Sequence, residues 1–180
     1  MIVAHKHATI YKEDDTIHKK FNSLNKYRIE LEFLQKLQHL DMVIHMISYV
    51  PKTIILEYVP HVLDDLIICR QIVDTKHILK QLVQFLKHLK DLQIVHNDFK
   101  AKNILVCSDR KTIKVIDFEL SKYNADNSQD IKKFRYLIIQ LMFYVDYVTA
   151  YKRYKKYEKL VNPQELMYST DLEKIMSLLN

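Results

Sequence analysis

The sequence predicts an α+β fold in two unequal parts: a β-rich beginning that carries one helix, then a mostly helical remainder. Three observations carry this. Short segments with period-2 alternation dominate the first part, and segments with a 3.6-residue apolar period dominate the second. Glycine is absent and proline occurs only at 51, 60 and 163, so element boundaries have to be read from periodicity. The stretch from Val95 to Leu120, VHNDFKAKNILVCSDRKTIKVIDFEL, sets two polar clusters beside two apolar β-type runs, Ile104-Leu105-Val106 and Ile113 to Ile116.

Taken in order, residues 2–12 and 16–21 read as two short strands around the acidic turn Glu13-Asp14-Asp15. Residues 26–39 read as a helix with Ile29, Phe33, Leu34 and Leu37 on one face. Strands at 43–50 and 53–58 follow, parted by Pro51-Lys52. Segment 75–92 is a long amphipathic helix with Ile78, Leu82, Phe85, Leu86 and Leu89 turned inward. After the polar loop and its two strands, 130–147 reads as another apolar helix, and 151–160 and 170–179 look helical too. No repeat or low-complexity linker appears, and 180 residues suit one domain.

Composition narrows the classes. Apolar residues make up 48%, which supports a packed fold over a disordered chain. No apolar run approaches the ~18 to 20 residues a membrane span requires. The N-terminal MIVAHKHATIYKEDD lacks an uninterrupted apolar core and a small-residue cleavage site, so no signal peptide and a cytoplasmic location are expected. Cys69 and Cys107 fall in unrelated segments and read as reduced structural thiols.

Average usage would give roughly a dozen glycines in this length. Lysine outnumbers arginine 23 to 5, and Ile, Tyr and Asn are abundant, as in an AT-rich genome such as that of a large DNA virus or an AT-rich microbe. The net charge of +6 draws heavily on the tail YKRYKKYEK, whose plain reading is a solvated helix face. Nucleic-acid binding through that tail is the weakest of the functions weighed.

The chemistry lies in the polar clusters. His96, Asp98, Lys100 and Asn103 share one short loop, and Asp117 ends an apolar run fourteen residues after Asn103. A site that holds Mg²⁺-nucleotide and aims a hydroxyl at it needs a base, two metal ligands and a cation in this kind of layout. With HNDFKAKN at 96–103 and Asp117-Phe118-Glu119, the stretch resembles the protein kinase superfamily, whose usual forms are HRDLKxxN and DFG. The resemblance covers roughly residues 3 to 145. It implies a two-lobed kinase-like fold, with a small lobe and hinge over 1–59 and a truncated helical lobe over 60–180.

The resemblance also implies roles. Asp98 becomes the catalytic base, Asn103 and Asp117 the metal ligands, and Lys100 the cation at the transferring phosphate. His96 holds the loop, and Asp130 braces it from the next helix. The lysine that grips the α- and β-phosphates is Lys19 or Lys20. Lys19 is preferred because Ile17, two residues earlier, shares its strand face. Its glutamate partner is Glu30, with Glu32 the alternative. Leu56 is the gatekeeper, backbone groups of Glu57 and Val59 meet the adenine edge, and Ile10, Ile17 and Leu105 sandwich the ring. The implied cofactors are ATP and Mg²⁺.

Several departures matter. Val3-Ala4-His5-Lys6-His7-Ala8 stands where the glycine-rich loop belongs, and His5, Lys6 and His7 could offer side-chain cations in its stead. Asn97 replaces the arginine that often ties the loop to a phosphorylated activation segment. Glu119 replaces the glycine of DFG. Asp117 and Asp130 are thirteen residues apart, leaving no room for an activation segment.

Kinases shortened in this way include effector kinases of the OspG type and the small KEOPS-complex kinase. The expected function is therefore a minimal serine/threonine protein kinase, of viral or effector type, acting on a protein substrate or on itself. An activating partner protein is expected to replace the lost docking platform. Choline- or sugar-type small-molecule kinases and a pseudokinase interaction module are the alternatives.

Overall fold

In the computed structural model, residues 2–4, 8–72, 74–144 and 146–152 are described. The chain starts with strands β1 (Ile2–Ala4), β2 (Ala8–Glu13) and β3 (Thr16–Phe21). Residues 2–12 therefore hold two antiparallel strands, with Ala4 opposite Thr9, where the alternation alone suggested one. Without a glycine or proline at this hairpin the sequence carries no break to read. Helix α1 (Leu24–Leu37) follows, opened by Ser23, whose side chain accepts from the Lys26 N–H at 3.4 Å. It starts two residues before the expected 26, because the cap precedes the apolar stripe. Phe33, Leu34 and Leu37 are buried as expected, whereas Ile29 is only partly so.

Strands β4 (Met46–Val50) and β5 (Thr53–Glu57) complete a five-stranded antiparallel sheet in the order β1-β2-β3-β5-β4. The expected strand start at 43 is corrected. Val43 instead bridges Val115 in parallel, and Ile44 donates to the Val115 carbonyl at 3.1 Å. These apolar residues belong to the seam between the halves, so alternation could not separate them from β4.

The second half opens with β6 (His61–Val62) and α2 (Leu63–Ile68), neither of which was expected; a six-residue helix is too short to show a period. Helix α3 (Thr75–Asp91) buries Ile78, Leu82, Phe85, Leu86 and Leu89. The short strands β7 (Ile94–Val95), β8 (Ile104–Val106) and β9 (Ile113–Val115) then frame the polar loop, β8 pairing with both β6 and β9. Strand β10 (Lys122–Tyr123) pairs with β7, and α4 (Ser128–Phe143) ends at Tyr144, so it spans 128–143 and not 130–147. Residues 147–152 are helical, the rest of the expected 151–160 helix lies outside the described residues, and so does 170–179.

Apolar packing is continuous from the sheet to the helices, through Phe21, Phe33, Leu34, Ile44, Phe85, Phe99, Phe118 and Phe134. That continuity fixes the sheet face of β3 against the loops after β7 and β9, which is where the polar clusters meet. Among the described residues no helix is long and apolar enough to cross a membrane.

Candidate functional site

The site is built from β3, α1 and two loops. On β3, Lys19 pairs with Ile10 on one side and Ile54 on the other. Its neighbour in the alternation, Lys20, is exposed. Lys19 is 6% exposed and Glu30, one helix away, 1%. The Lys19 Nζ donates to Glu30 Oε2 and to Asp117 Oδ1, both at 2.7 Å. Glu32 lies on the exposed side of α1, beside Tyr123.

Electrostatics explain why three charges share this space. Burial works against the Lys19 ammonium, but the carboxylates of Glu30 and Asp117 more than offset it, and its pKa rises. Burial pushes Glu30 up to about 7, more than Lys19 can pull it down, and the nearby Asp117 charge adds to the rise. Asp117 keeps a lowered pKa: burial opposes this, and the Lys19 charge and hydrogen bond overcome it.

The loop after β7 is held by Asp130 from α4. Its carboxylate accepts the His96 N–H at 2.6 Å and the Asn97 N–H at 2.9 Å. Asn97 has φ 63°, a left-handed value that asparagine tolerates better than most residues. His96 is fully buried among Phe99 and Phe118. Its Nδ1 accepts the Asp98 N–H at 3.2 Å, so its Nε2 carries the proton and donates to the Ile116 carbonyl at 3.0 Å. One neutral imidazole thus ties the Asp98 loop to the strand end that presents Asp117.

Asp98 Oδ2 accepts from Lys100 Nζ at 2.7 Å and from Asn103 Nδ2 at 2.9 Å. The same Asn103 amide donates to the Asp98 carbonyl at 2.9 Å, which leaves its side-chain oxygen as a hard ligand for a cation. Asn103 lies in a 3₁₀ turn, Ala101–Asn103, and its carbonyl accepts the Ile116 N–H at 3.0 Å. Asp117 itself has φ 71°, so both aspartate-bearing loops use a left-handed residue where glycine is unavailable.

Lys19, Glu30, Asn103 and Asp117 open into one cavity of about 610 Å³, large enough for a nucleotide. Ile10, Ile17, Leu56, Glu57, Val59, Lys100 and Leu105 line the same cavity, so eleven of the site residues expected from sequence meet there. Asp98 lies at its front and reaches it through Lys100 and Asn103.

The apolar end suits a flat ring. Val59 is 8% exposed, and among the described residues no backbone hydrogen bond uses its N–H, as expected where a ring nitrogen would accept. The Glu57 N–H is taken by the His45 carbonyl at 3.0 Å and is not available to a ring edge. Tyr58 is pinned from outside, its N–H on the Asp15 carbonyl at 3.2 Å and Lys12 Nζ 3.6 Å from its ring centre.

One feature was not legible. Lys133, 3.6 Å from Asp98 Oδ1 and donating to the Asn97 carbonyl, was missed because nothing in α4's pattern marks it. Glu119 offers a carboxylate within 4.8 Å of those of Glu30 and Asp117, while its carbonyl accepts from Lys26 Nζ at 3.1 Å. His5, Lys6 and His7 lie outside the described residues, though Ala8 forms part of the cavity wall.

Comparison with known proteins gives the same frame. The family model described as "Protein kinase domain" matches residues 1–166. The CTD kinase subunit alpha of Schizosaccharomyces pombe is 27% identical over 138 residues, covering 66% of this chain and 23% of that protein. Its Saccharomyces cerevisiae namesake is 27% identical over 134 residues, covering 63% and 25%. The chain thus spans about a quarter of the length of the curated relatives it matches. With a match over most of its length and an α+β architecture of the expected order, the chain belongs to the protein kinase domain family.

Proposed function

We propose that this chain is an ATP- and Mg²⁺-dependent phosphotransferase that moves the γ-phosphoryl group onto a serine or threonine hydroxyl of a protein, itself included. One observation carries the reading: Lys19 bonds Glu30 and Asp117 at 2.7 Å each in a nucleotide-sized cavity, with Asp98 and Asn103 bonded together at its front.

In this reading Val59 and the apolar walls seat the adenine, and Lys19, held by Glu30, meets the α- and β-phosphates. Asp117 and Asn103 would hold Mg²⁺, which neutralises phosphate charge when bound. The acceptor hydroxyl loses its proton to Asp98 as its oxygen bonds the γ-phosphorus and the bond to the β-phosphate oxygen breaks, releasing ADP. Lys100 supplies positive charge on that side. Asp98 is kept in place by Asn103 and by the His96–Asp130 brace.

Only ten residues, 118–127, link Asp117 to α4, so a partner protein would supply the acceptor contacts that a longer segment gives elsewhere. The relatives' names, each a "subunit", are in keeping with that. Residue usage supports a viral or effector origin, with host cytoplasm as the place of action.

The test is Mg²⁺-dependent ATP binding and γ-phosphate transfer by the purified chain beside Asp98→Ala and Asp117→Ala. Transfer lost in both variants supports the reading. Transfer only to small hydroxyl compounds would move it to the small-molecule kinases. Binding without transfer would favour a second reading, a partner-binding pseudokinase, for which Glu119 and the glycine-free loop speak.

A further inference from the structure

The charges around Asp98 are sorted by depth. Its carboxylate is turned inward on Asn103 and Lys100, with a side-chain exposure of 21%. Asp64, the nearest carboxylate to Lys102, is 9% exposed and also accepts from Gln140 Nε2 at 3.3 Å. Asp130 is buried beneath the loop and taken by two backbone N–H groups. Two lysines lie at the cavity's edge: Lys100, bonded to Asp98, keeps 38% of its side chain exposed, and Lys102 70%, its Nζ 4.0 Å from Asp64. Lys133 adds a third ammonium 3.6 Å from Asp98. An arriving chain therefore meets ammonium groups, while the carboxylates that balance them are already in use.

A second wall faces the same place. Tyr147, 39% exposed, packs edge-on against buried Tyr136 at 5.7 Å, and its phenol feels the charges of Lys100 and Asp98. A side chain flanking the acceptor hydroxyl would thus meet the exposed Tyr147 ring as well as the lysine ammonium groups.

We propose that the site selects acidic acceptors: segments in which aspartate or glutamate flanks the hydroxyl, with Lys102 as the main selectivity residue. This rests on the phosphotransferase reading above. A carboxylate beside the hydroxyl gains from Lys102 and Lys100, whereas a lysine there is repelled, so the discrimination is a matter of charge and is screened by salt.

The experiment compares two peptides with the same central serine, one flanked by glutamates and one by lysines, at saturating Mg²⁺-ATP. Self-phosphorylation is followed in the same reactions. The quantity read is the ratio of kcat/KM values, acidic over basic, which cancels changes in intrinsic rate. The wild type should favour the acidic peptide by about tenfold, less at high salt. Lys102→Glu should bring the ratio to one or below, and Lys102→Ala to an intermediate value.

Equal use of both peptides, a basic preference, or an unchanged ratio in both Lys102 variants overturns the inference. So does self-phosphorylation without transfer to the acidic peptide. No Mg²⁺-ATP-dependent transfer of any kind would instead overturn the phosphotransferase reading on which it rests.

Discussion

Replacing Arg70 by glycine should stabilise this protein. Arg70 follows α2 with φ 55°, and its N–H donates to the Ile67 carbonyl at 3.1 Å while the Gln71 N–H reaches Leu66 at 2.8 Å. That pair of bonds is the Schellman end of a helix, in which the left-handed residue is usually glycine. For a residue with a Cβ the left-handed conformation costs roughly 1–2 kcal/mol. Glycine removes that cost but loses about 0.5–1 kcal/mol more backbone entropy on folding. The difference is a net gain of about 0.5–1 kcal/mol, or a Tm rise of roughly 1–4 °C at this chain length.

Arg70 is exposed, so little packing is lost with its side chain. Urea denaturation is the assay, with the midpoint rising and the slope unchanged. Gln84→Gly, exposed in the interior of α3, serves as the opposite control and should cost about 1 kcal/mol. If Arg70→Gly destabilises as Gln84→Gly does, the argument that this glycine-free chain carries strain at its helix end is refuted.

Other outcomes follow from the site. Asp130→Ala should destabilise by about 3 kcal/mol in urea denaturation, because it leaves the buried His96 N–H and the partly buried Asn97 N–H without their carboxylate; Asp130→Asn should cost less. Burial lowers the His96 pKa below the ordinary 6.5, so the folded state binds fewer protons than the unfolded one under mildly acidic conditions. The stability His96 contributes is therefore present above 6.5 and lost as the pH falls below it, and its ring signals in an NMR titration should still be those of the neutral form at pH 6.5. Lys19→Met should abolish ATP-dependent transfer and cost about 3 kcal/mol by denaturation, at the low end for a broken buried pair. Glu30, already raised to about 7, can answer the loss by taking a proton, so that cost should grow with pH.

Much of the fold was legible because its signals are local. The apolar stripe of α3, the alternation through Thr16–Phe21 and the runs that became β8 and β9 each show their period within a few residues. The misreadings lie where that locality fails. Val43 and Ile44 are as apolar as a strand, but they serve the seam against β9. Residues 2–12 turn back on themselves with no glycine to mark it. Helix α2 is shorter than two full turns.

By itself the sequence determined the α+β order, the two polar clusters and their separation along the chain, since residue type and spacing are all these require. Tertiary structure decided which charges meet. Alternation allowed Lys19 or Lys20, and the helix offered Glu30 or Glu32; only the packing of α1 against the sheet and of β3 over the Asp117 loop puts Lys19 within 2.7 Å of two carboxylates. It also decided that the carboxylates around Asp98 turn inward while Lys102 faces water, because burial and hydrogen-bond geometry depend on neighbours 30 or more positions away in the chain.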